Sequence, residues 1–269
     1  MQARSALFDL YGDYLRPRGG RAPVAALVRM LGPIGIAAPA VRTAISRMVR
    51  QGWLIPMRLT GGPGYQLTVR AVHRLDEAAA RIYRTARLGW DGQFDLIVLT
   101  PPAGRAARAR LTATLSYLGY GSLDPGTWVA PRQADDADDL LKEAGVPFER
   151  FTARHASGTS GAAALVRRAW DLRALGEAYE AFVAEQRPAM AAVMAAAVVA
   201  AGPGDDEAAY AARFRLVHAW RTFLFRDPQL PAALLPERWP GRAAEDFFDH
   251  HEARLRPAAD RFVDRCLAL

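Results

Sequence analysis

Five polar residues near the N-terminus share one face of a predicted helix, and their side chains suit contact with DNA. At 3.6 residues per turn, this face holds Arg42, Thr43, Ser46, Arg47 and Arg50. Arginine donates paired hydrogen bonds to a guanine edge, and hydroxyl groups contact bases or phosphates. The opposite face is apolar and consists of Val41, Ala44, Ile45, Met48 and Val49. The pattern indicates a helix that packs through one face and leaves its basic face free for a groove.

The residues after this helix have the pattern of a β-hairpin. Pro39 suits the first helical turn, and Gly52 suits the position just past the helix end. The runs Leu54 to Leu59 and Tyr65 to Val69 flank residues 60–64, whose glycines permit the positive φ of a hairpin tip. Helical spacing also occurs upstream, over Leu7, Leu10, Tyr11, Tyr14, Val24, Leu27, Val28 and Leu31. Three short helices followed by a hairpin are the order of a winged helix-turn-helix.

The distribution of charge favours the same interpretation. Residues 1 to 90 contain 14 arginines and four acids, a net charge of +10, whereas residues 91 to 269 carry a net charge of −3. A basic end on a nearly neutral body is typical of a phosphate-binding module, because arginines release counterions from nucleic acid. A solvated basic face resting on a core would give the same helix pattern, so the helix alone does not decide.

The composition predicts a globular protein in a reducing compartment. Half of the residues are hydrophobic, and the length allows about two further domains. The single cysteine, Cys266, excludes an internal disulfide, and we expect it to be buried in a terminal helix. The longest apolar run, Ala189 to Ala201, has 13 residues and is too short to span a membrane. With no signal-type N-terminus, we expect a cytoplasmic protein without a membrane partner.

A second domain is predicted from about Trp90. Its pattern alternates strands and helices over Phe94–Leu99, Arg105–Leu118, Tyr120–Leu123, Thr127–Ala130, Asp135–Ala144 and Phe148–Ala153. This order is close to a small ferredoxin-like α+β domain. The carboxylates of residues 135–139 could suggest a metal site, but acidic residues at a helix start usually complement the dipole and solvent.

The rest of the chain is predicted to be helical. Residues 157–161 have the composition of a linker, and helices are expected over Ala163–Val183, Ala208–Phe225 and Ala243–Leu267. A break is expected at Gly202-Pro203-Gly204. A proline-rich loop over residues 226–241 precedes the last helix and should pack over the helices, because each proline fixes φ.

Three strings of residues resemble the PaaX family of bacterial phenylacetate-degradation repressors. The first comprises residues 10–20 (LYGDYLRPRGG), 40–48 (AVRTAISRM) and 52–54 (GWL). The second is residues 119–131 (GYGSLDPGTWVAP). The third comprises residues 169–172 (AWDL), 226–228 (RDP) and 239–241 (WPG). Because these motifs run in order along the chain, the resemblance covers essentially all of it.

The resemblance implies an α+β multidomain repressor that acts as a homodimer. It implies a winged helix-turn-helix over residues 1–89, a ferredoxin-like domain similar to the CRISPR nuclease Cas2 over 90–156, and a helical domain over 157–269. It also implies release from double-stranded operator DNA by an acyl-CoA effector such as phenylacetyl-CoA. Two winged helices on a dimer axis predict an operator that is an inverted repeat.

Two sets of binding residues are predicted. For DNA we expect contacts from Arg16, Arg18, Arg42, Thr43, Ser46, Arg47, Arg50, Arg58 and Tyr65. For the effector we expect cations and aromatic rings from Trp128, His218, Trp220, Arg221, Arg226, Arg238 and Trp239. His218 could instead be a hydrogen-bonded core histidine with an arginine pairing to Asp227, and Trp128 could instead be a core residue.

Two enzyme hypotheses compete with the repressor. A metal-dependent nuclease would use the central domain, but related proteins often carry Tyr-Asp-Val-Pro where this chain reads Leu99-Thr100-Pro101-Pro102. The remaining carboxylates, Asp91 and Asp95, lie before and inside the predicted strand. An acyl-CoA enzyme is disfavoured because His73, His155, His250 and His251 form no recognisable catalytic arrangement. We therefore expect no enzyme activity, cofactor or metal site.

Overall fold

A computed structural model describes residues 1–84, 89–156, 161–199 and 203–268. The chain divides into two units, each built from segments that are distant in sequence. Unit 1 comprises Met1–Ala86, Ala181–Arg221 and Ala243–Leu269, and unit 2 comprises Arg87–Glu180 and Thr222–Arg242. The division into three consecutive domains stays a prediction. Residues 157–160 of the predicted linker and Gly202 of the predicted break lie outside the described residues.

The N-terminal part of unit 1 combines helices with a small sheet. Its helices are α1 (Ala3–Leu10), α2 (Val24–Leu31), α3 (Ala38–Arg50) and α4 (Val69–Ile82). Its strands, β1 (Arg21–Pro23), β2 (Leu54–Leu59) and β3 (Gly62–Leu67), form an antiparallel sheet in the order β1-β3-β2. Three helices before a hairpin are therefore confirmed, whereas β1 and α4 were not predicted.

The hairpin is tighter than predicted. β3 begins at Gly62 and not at Tyr65, so only Thr60 and Gly61 connect the two strands. The central position of β3 explains the difference. A Cβ at Gly64 would lie 2.7 Å from the backbone oxygen of Ala22 in β1, so glycine lets the two strands approach. The glycines of this segment therefore serve strand packing as well as the turn.

Unit 1 also contains C-terminal helices. These are part of α8 (Leu172–Val199), α9 (Pro203–Trp220) and most of α10 (Pro240–Leu267). Tyr210 and Phe214 from α9, with Phe262 and Cys266 from α10, belong to the same apolar core as the N-terminal helices. Cys266 is buried and free, as predicted, and burial raises the pKa of its thiol.

The sheet of unit 2 confirms the predicted order of elements. Its strands are β4 (Gln93–Leu99), β5 (Gly121–Asp124), β6 (Thr127–Ala130) and β7 (Phe148–Arg154), and its first helices are α5 (Arg105–Tyr117) and α6 (Ala137–Glu143). The antiparallel sheet has the order β5-β6-β4-β7. That order, with helices after the first and third strands, is the ferredoxin-like arrangement.

The helices after the central sheet differ from prediction. The single helix expected over Ala163–Val183 is two helices, α7 (Ala162–Ala169) and α8, because Trp170 has an extended backbone and the Asp171 carboxylate accepts a hydrogen bond from Ala174 N. Pro203 begins α9, and the predicted helix end at Phe225 is a 3-10 segment, Arg221–Phe225. Within the described part of the chain, we find no helix with the length and apolar character that crossing a membrane requires.

The close approach at Gly64 gives a stability prediction. Gly64→Ala should lower the free energy of unfolding by about 1 to 3 kcal/mol, because its methyl group would push β3 away from Ala22. Chemical denaturation followed by circular dichroism measures the change.

Gly32→Ala is the matched control, because no heavy atom lies within 4 Å of its added Cβ and its backbone is helical. It should be neutral or stabilise the protein by about 0.4 to 1 kcal/mol. Equal effects of the two substitutions would contradict the packing argument.

Candidate nucleic-acid interface and effector residues

Helix α3 has the two faces that its sequence predicts. Val41, Ala44, Ile45 and Met48 are buried, and all five predicted contact residues, Arg42, Thr43, Ser46, Arg47 and Arg50, are exposed. The Thr43 hydroxyl donates to the carbonyl oxygen of Pro39, and the Arg50 guanidinium donates to the Ser46 hydroxyl at 3.3 Å. Exposed cations on a rigid helix form a surface that can meet a polyanion.

Arg58 and Tyr65 lie on the hairpin that follows α3. Arg58 is exposed on β2, opposite Pro63, and Tyr65 is half-buried on β3. The Tyr65 carbonyl accepts a hydrogen bond of 3.2 Å from the hydroxyl group of Tyr11. The exposed position of Arg58 on this hairpin, the predicted wing, is therefore compatible with a contact to the phosphate backbone of DNA.

Arg16 and Arg18, the other predicted DNA contacts, already have carboxylate partners within unit 1. Arg16 pairs with Asp76 of α4. Arg18 pairs with Asp264 at 2.8 Å and with Asp260 at 2.9 Å, both in α10. Although burial lowers the pKa of Arg18, hydrogen bonds from it to these carboxylates raise that pKa above its ordinary value. Contact of Arg16 and Arg18 with DNA stays a prediction. In this structure both arginines form ion pairs within unit 1.

Three predicted effector residues lie in unit 1, next to α1. His218 and Arg221 both pair with the buried carboxylate of Asp9. Trp220 is buried against Phe182 and stacks on Phe248, with ring centroids 4.8 Å apart. The sequence did not identify Asp9 as the partner, because Asp9 is more than 200 positions away in the chain. His218 is hydrogen-bonded, as its structural alternative expects, but it is half-buried, and Arg221 pairs with Asp9 and not with Asp227.

The other four predicted effector residues lie in unit 2. Trp128 is buried in the core formed by β4, β6, α5 and α6, which is the packing alternative for that residue. Arg226 and Arg238 are exposed. Trp239 is half-buried and makes an edge contact with Tyr179, with centroids 6.1 Å apart.

Unit 2 has a cavity of about 620 Å³, and from the predicted effector set its lining includes Arg238 and Trp239. Its other aromatic and basic lining residues are Arg167, Arg168, Trp170 and Arg173, which sequence reasoning missed. The adjacent letters RRAWDLR at 167–173 were a usable signal, because they bring three cations and an indole together at a helix break. We call this cavity the Arg-Trp pocket.

Three family models match consecutive parts of the chain. They describe a PaaX-like protein over residues 2–71, a PaaX protein central Cas2-like domain over 87–165, and a PaaX-like protein C-terminal domain over 170–265. The chain is also 32% identical over 264 residues to the transcriptional repressor PaaX of Escherichia coli strain K12, which covers 96% of this chain and 82% of that protein.

The chain belongs to the PaaX family.

Its fold is shared with a solved structure, an uncharacterized protein, Rv0674, from Mycobacterium tuberculosis. That structure is 24% identical, the match covers 97% of this chain and 98% of that one, and the TM-score is 0.64. At this identity the likeness concerns the fold alone.

The Cas2-like domain of this PaaX family member uses its buried carboxylate for an ion pair. Asp95 is buried on β4 and receives hydrogen bonds from Arg150 of β7, at 2.8 Å and 3.0 Å, and from the hydroxyl group of Tyr120. Hydrogen bonding to Asp95 raises the pKa of Arg150 above its ordinary value. Among the residues that the structure describes, no three His, Cys, Asp or Glu side chains are grouped as a metal site would require. The buried carboxylate of Asp95 is therefore compensated by a guanidinium.

The ion pairs of Asp9 with His218 and Arg221 give a prediction that tests a structural role of Arg221. Asp9→Ala should lower the free energy of unfolding by about 3 kcal/mol, because it leaves the partly buried cation of Arg221 without its carboxylate. Arg221→Ala should also destabilise unit 1, and a double-mutant cycle should give a coupling of about 0.5 to 3 kcal/mol. Denaturant titration of the four proteins measures it.

Arg226→Ala is the control for stability, since Arg226 is exposed, and it should change the free energy of unfolding by less than about 0.5 kcal/mol. Additive effects of Asp9→Ala and Arg221→Ala would show that the ion pair contributes nothing to stability.

Proposed function

We propose that this chain is a DNA-binding transcriptional repressor that reads operator DNA through a winged helix-turn-helix in unit 1. The observation that carries the proposal is the exposed basic face of α3, in a chain 32% identical over nearly its whole length to a protein named as a transcriptional repressor. Such a regulator acts on the genome, so the proposed place of action is the cytoplasm of a bacterium.

Arg42 and Arg47 are the best candidates for base contacts. Both are exposed, and neither side chain has a hydrogen-bond or ion-pair partner among the residues that the structure describes. A free guanidinium can place two N–H groups against the acceptors of guanine in the major groove. Thr43 and Ser46 on the same face add short hydroxyl contacts. Arg50 at the helix end and Arg58 on the wing are assigned to phosphates.

Arg42→Ala should weaken operator binding by about 1 to 3 kcal/mol and reduce the preference for one base. Arg50→Ala should instead weaken binding to all sequences alike and reduce the salt dependence, because it removes a phosphate contact. Gel-shift titrations on the operator and on single-base variants, at two salt concentrations, measure both effects.

The control is Arg110→Ala, which removes an exposed arginine from α5 in unit 2 and should leave operator affinity unchanged. If Arg42→Ala and Arg47→Ala both bind the operator as tightly as the wild type, α3 is not the recognition helix.

The repressor is proposed to act as a homodimer on an inverted repeat. One winged helix buries too little surface for operator selectivity, and two copies would read half-sites one helical turn, or a multiple of it, apart. The footprint of the wild-type protein should therefore have two-fold symmetry.

The proposed signal is an acyl-CoA thioester, with phenylacetyl-CoA as the family's ligand, and the regulated genes are proposed to serve phenylacetate-type catabolism. A CoA thioester presents several phosphates and, in this case, an aryl group, so its site needs cations and an apolar surface. Arginine and tryptophan side chains occur together on both units of the chain.

Phenylacetyl-CoA should bind the free protein more tightly than it binds the protein–operator complex. Linkage requires this, because the ligand can only weaken DNA binding if DNA weakens ligand binding by the same factor. A hundredfold loss of operator affinity corresponds to a coupling of about 2.7 kcal/mol. Isothermal titration calorimetry with and without operator measures both affinities.

Acetyl-CoA is the matched ligand control, since it keeps the nucleotide and lacks the aryl group. Equal affinities of phenylacetyl-CoA for the free protein and for the complex would rule out its role as the releasing signal.

A further inference from the structure

We propose that the Arg-Trp pocket of unit 2 binds the nucleotide end of the effector, with arginines on its phosphates and an indole against its adenine ring. This inference rests on the proposed acyl-CoA control and adds the place of binding. The pocket is formed by the end of α7, the start of α8 and the segment Pro236–Pro240, so all of its lining belongs to one unit.

The pocket has cations that the protein does not neutralise. Arg167 and Arg238 are exposed, and their side chains have no ion-pair or hydrogen-bond partner within the described part of the chain. Four arginines and three carboxylates line the pocket, and of the carboxylates Glu177 pairs with Arg173 at 3.3 Å. The other three arginines face the carboxylates of Asp171 and Glu180, so a positive charge remains on this surface, which suits a ligand with several phosphates.

Two indole rings are fixed beside these cations. The Trp170 ring packs directly on Gly121 of β5. A Cβ added at Gly121 would lie only 2.6 Å from the ring atom Cε2, so this contact requires glycine. Trp239 lies against Gly176 of α8 and contacts Tyr179 edge-on. Pre-positioned aromatic faces stack on a nucleobase with little loss of side-chain entropy.

The nitrogen edge of the Trp170 indole lies against β5. Its Nε1 is buried without a hydrogen-bond acceptor among the described residues, and the adjacent Cε2 packs on Gly121. What this ring offers the pocket is therefore an aromatic surface for stacking and not a hydrogen bond. The cavity volume, about 620 Å³, falls within the range of small-molecule sites.

The test compares two double variants of the full chain. Arg167→Ala with Arg238→Ala removes the free cations of the pocket, and Arg105→Ala with Arg110→Ala removes two exposed arginines of α5, which does not line it. Tryptophan fluorescence and calorimetry record binding of phenylacetyl-CoA, of CoA without an acyl group and of phenylacetate. Gel shifts record operator affinity without ligand.

We expect the pocket variant to bind phenylacetyl-CoA and CoA at least tenfold more weakly, with unchanged operator affinity, and the α5 variant to bind both as the wild type does. CoA should compete with phenylacetyl-CoA on the wild type, and phenylacetate should not. If the wild type binds phenylacetyl-CoA and the pocket variant binds it equally well, the pocket is not the site, although the effector function stands. If CoA does not compete on the wild type, the nucleotide assignment is wrong. If the wild type binds no CoA thioester, the effector function and this inference both fail.

Discussion

Unit 1 depends on the ion pairs made by one buried guanidinium, that of Arg213 in α9. It pairs with Asp13, beside α1, and with Glu252 of α10, contacts the Tyr83 hydroxyl and lies 4.9 Å from the Tyr14 ring centroid. Burial lowers its pKa, but the charge of Asp13, the neighbouring Tyr14 and Tyr83 and the hydrogen bond to Asp13 together raise that pKa well above its ordinary value, so the ion stays charged. Separating these elements would strand an unpaired buried charge, which costs several kcal/mol. The C-terminal helices are therefore part of the body that carries the proposed recognition helix.

This arrangement connects α3 with residues distant from it in the sequence. Helix α1 contacts both α3 and α9, and its Asp9 holds His218 and Arg221. Helix α9 also contacts the segment Gly32–Ile34, which lies just before α3. Packed cores respond to displacements as units because their interiors are dense. The basic face of α3 therefore depends on contacts made far along the chain.

Periodicity predicted the elements whose fold depends on one apolar face. The inward residues of α3 and the succession of strands and helices along unit 2 are examples, because each element is encoded within a few neighbouring residues. The partners of Asp9, Asp13 and Arg18 were not predictable in this way, since the carboxylates and arginines meet across 200 or more positions. The break at Trp170 was missed because the apolar spacing continues through it, while one extended residue and the Asp171 cap divide the helix.

The effector set shows why nearness in sequence is a poor guide to a pocket. Trp220 and Arg221 are close in sequence to Arg226 and Arg238. The boundary between the units nevertheless lies between Arg221 and Thr222, so the first two residues belong to unit 1 and the last two to unit 2. The chain passes from one unit to the other at four points. Two of those passages lie inside helices, at Glu180–Ala181 in α8 and at Arg242–Ala243 in α10. The α10 residues that pair with Arg213 and Arg18 therefore belong to a helix whose first residues, Pro240–Arg242, are part of unit 2.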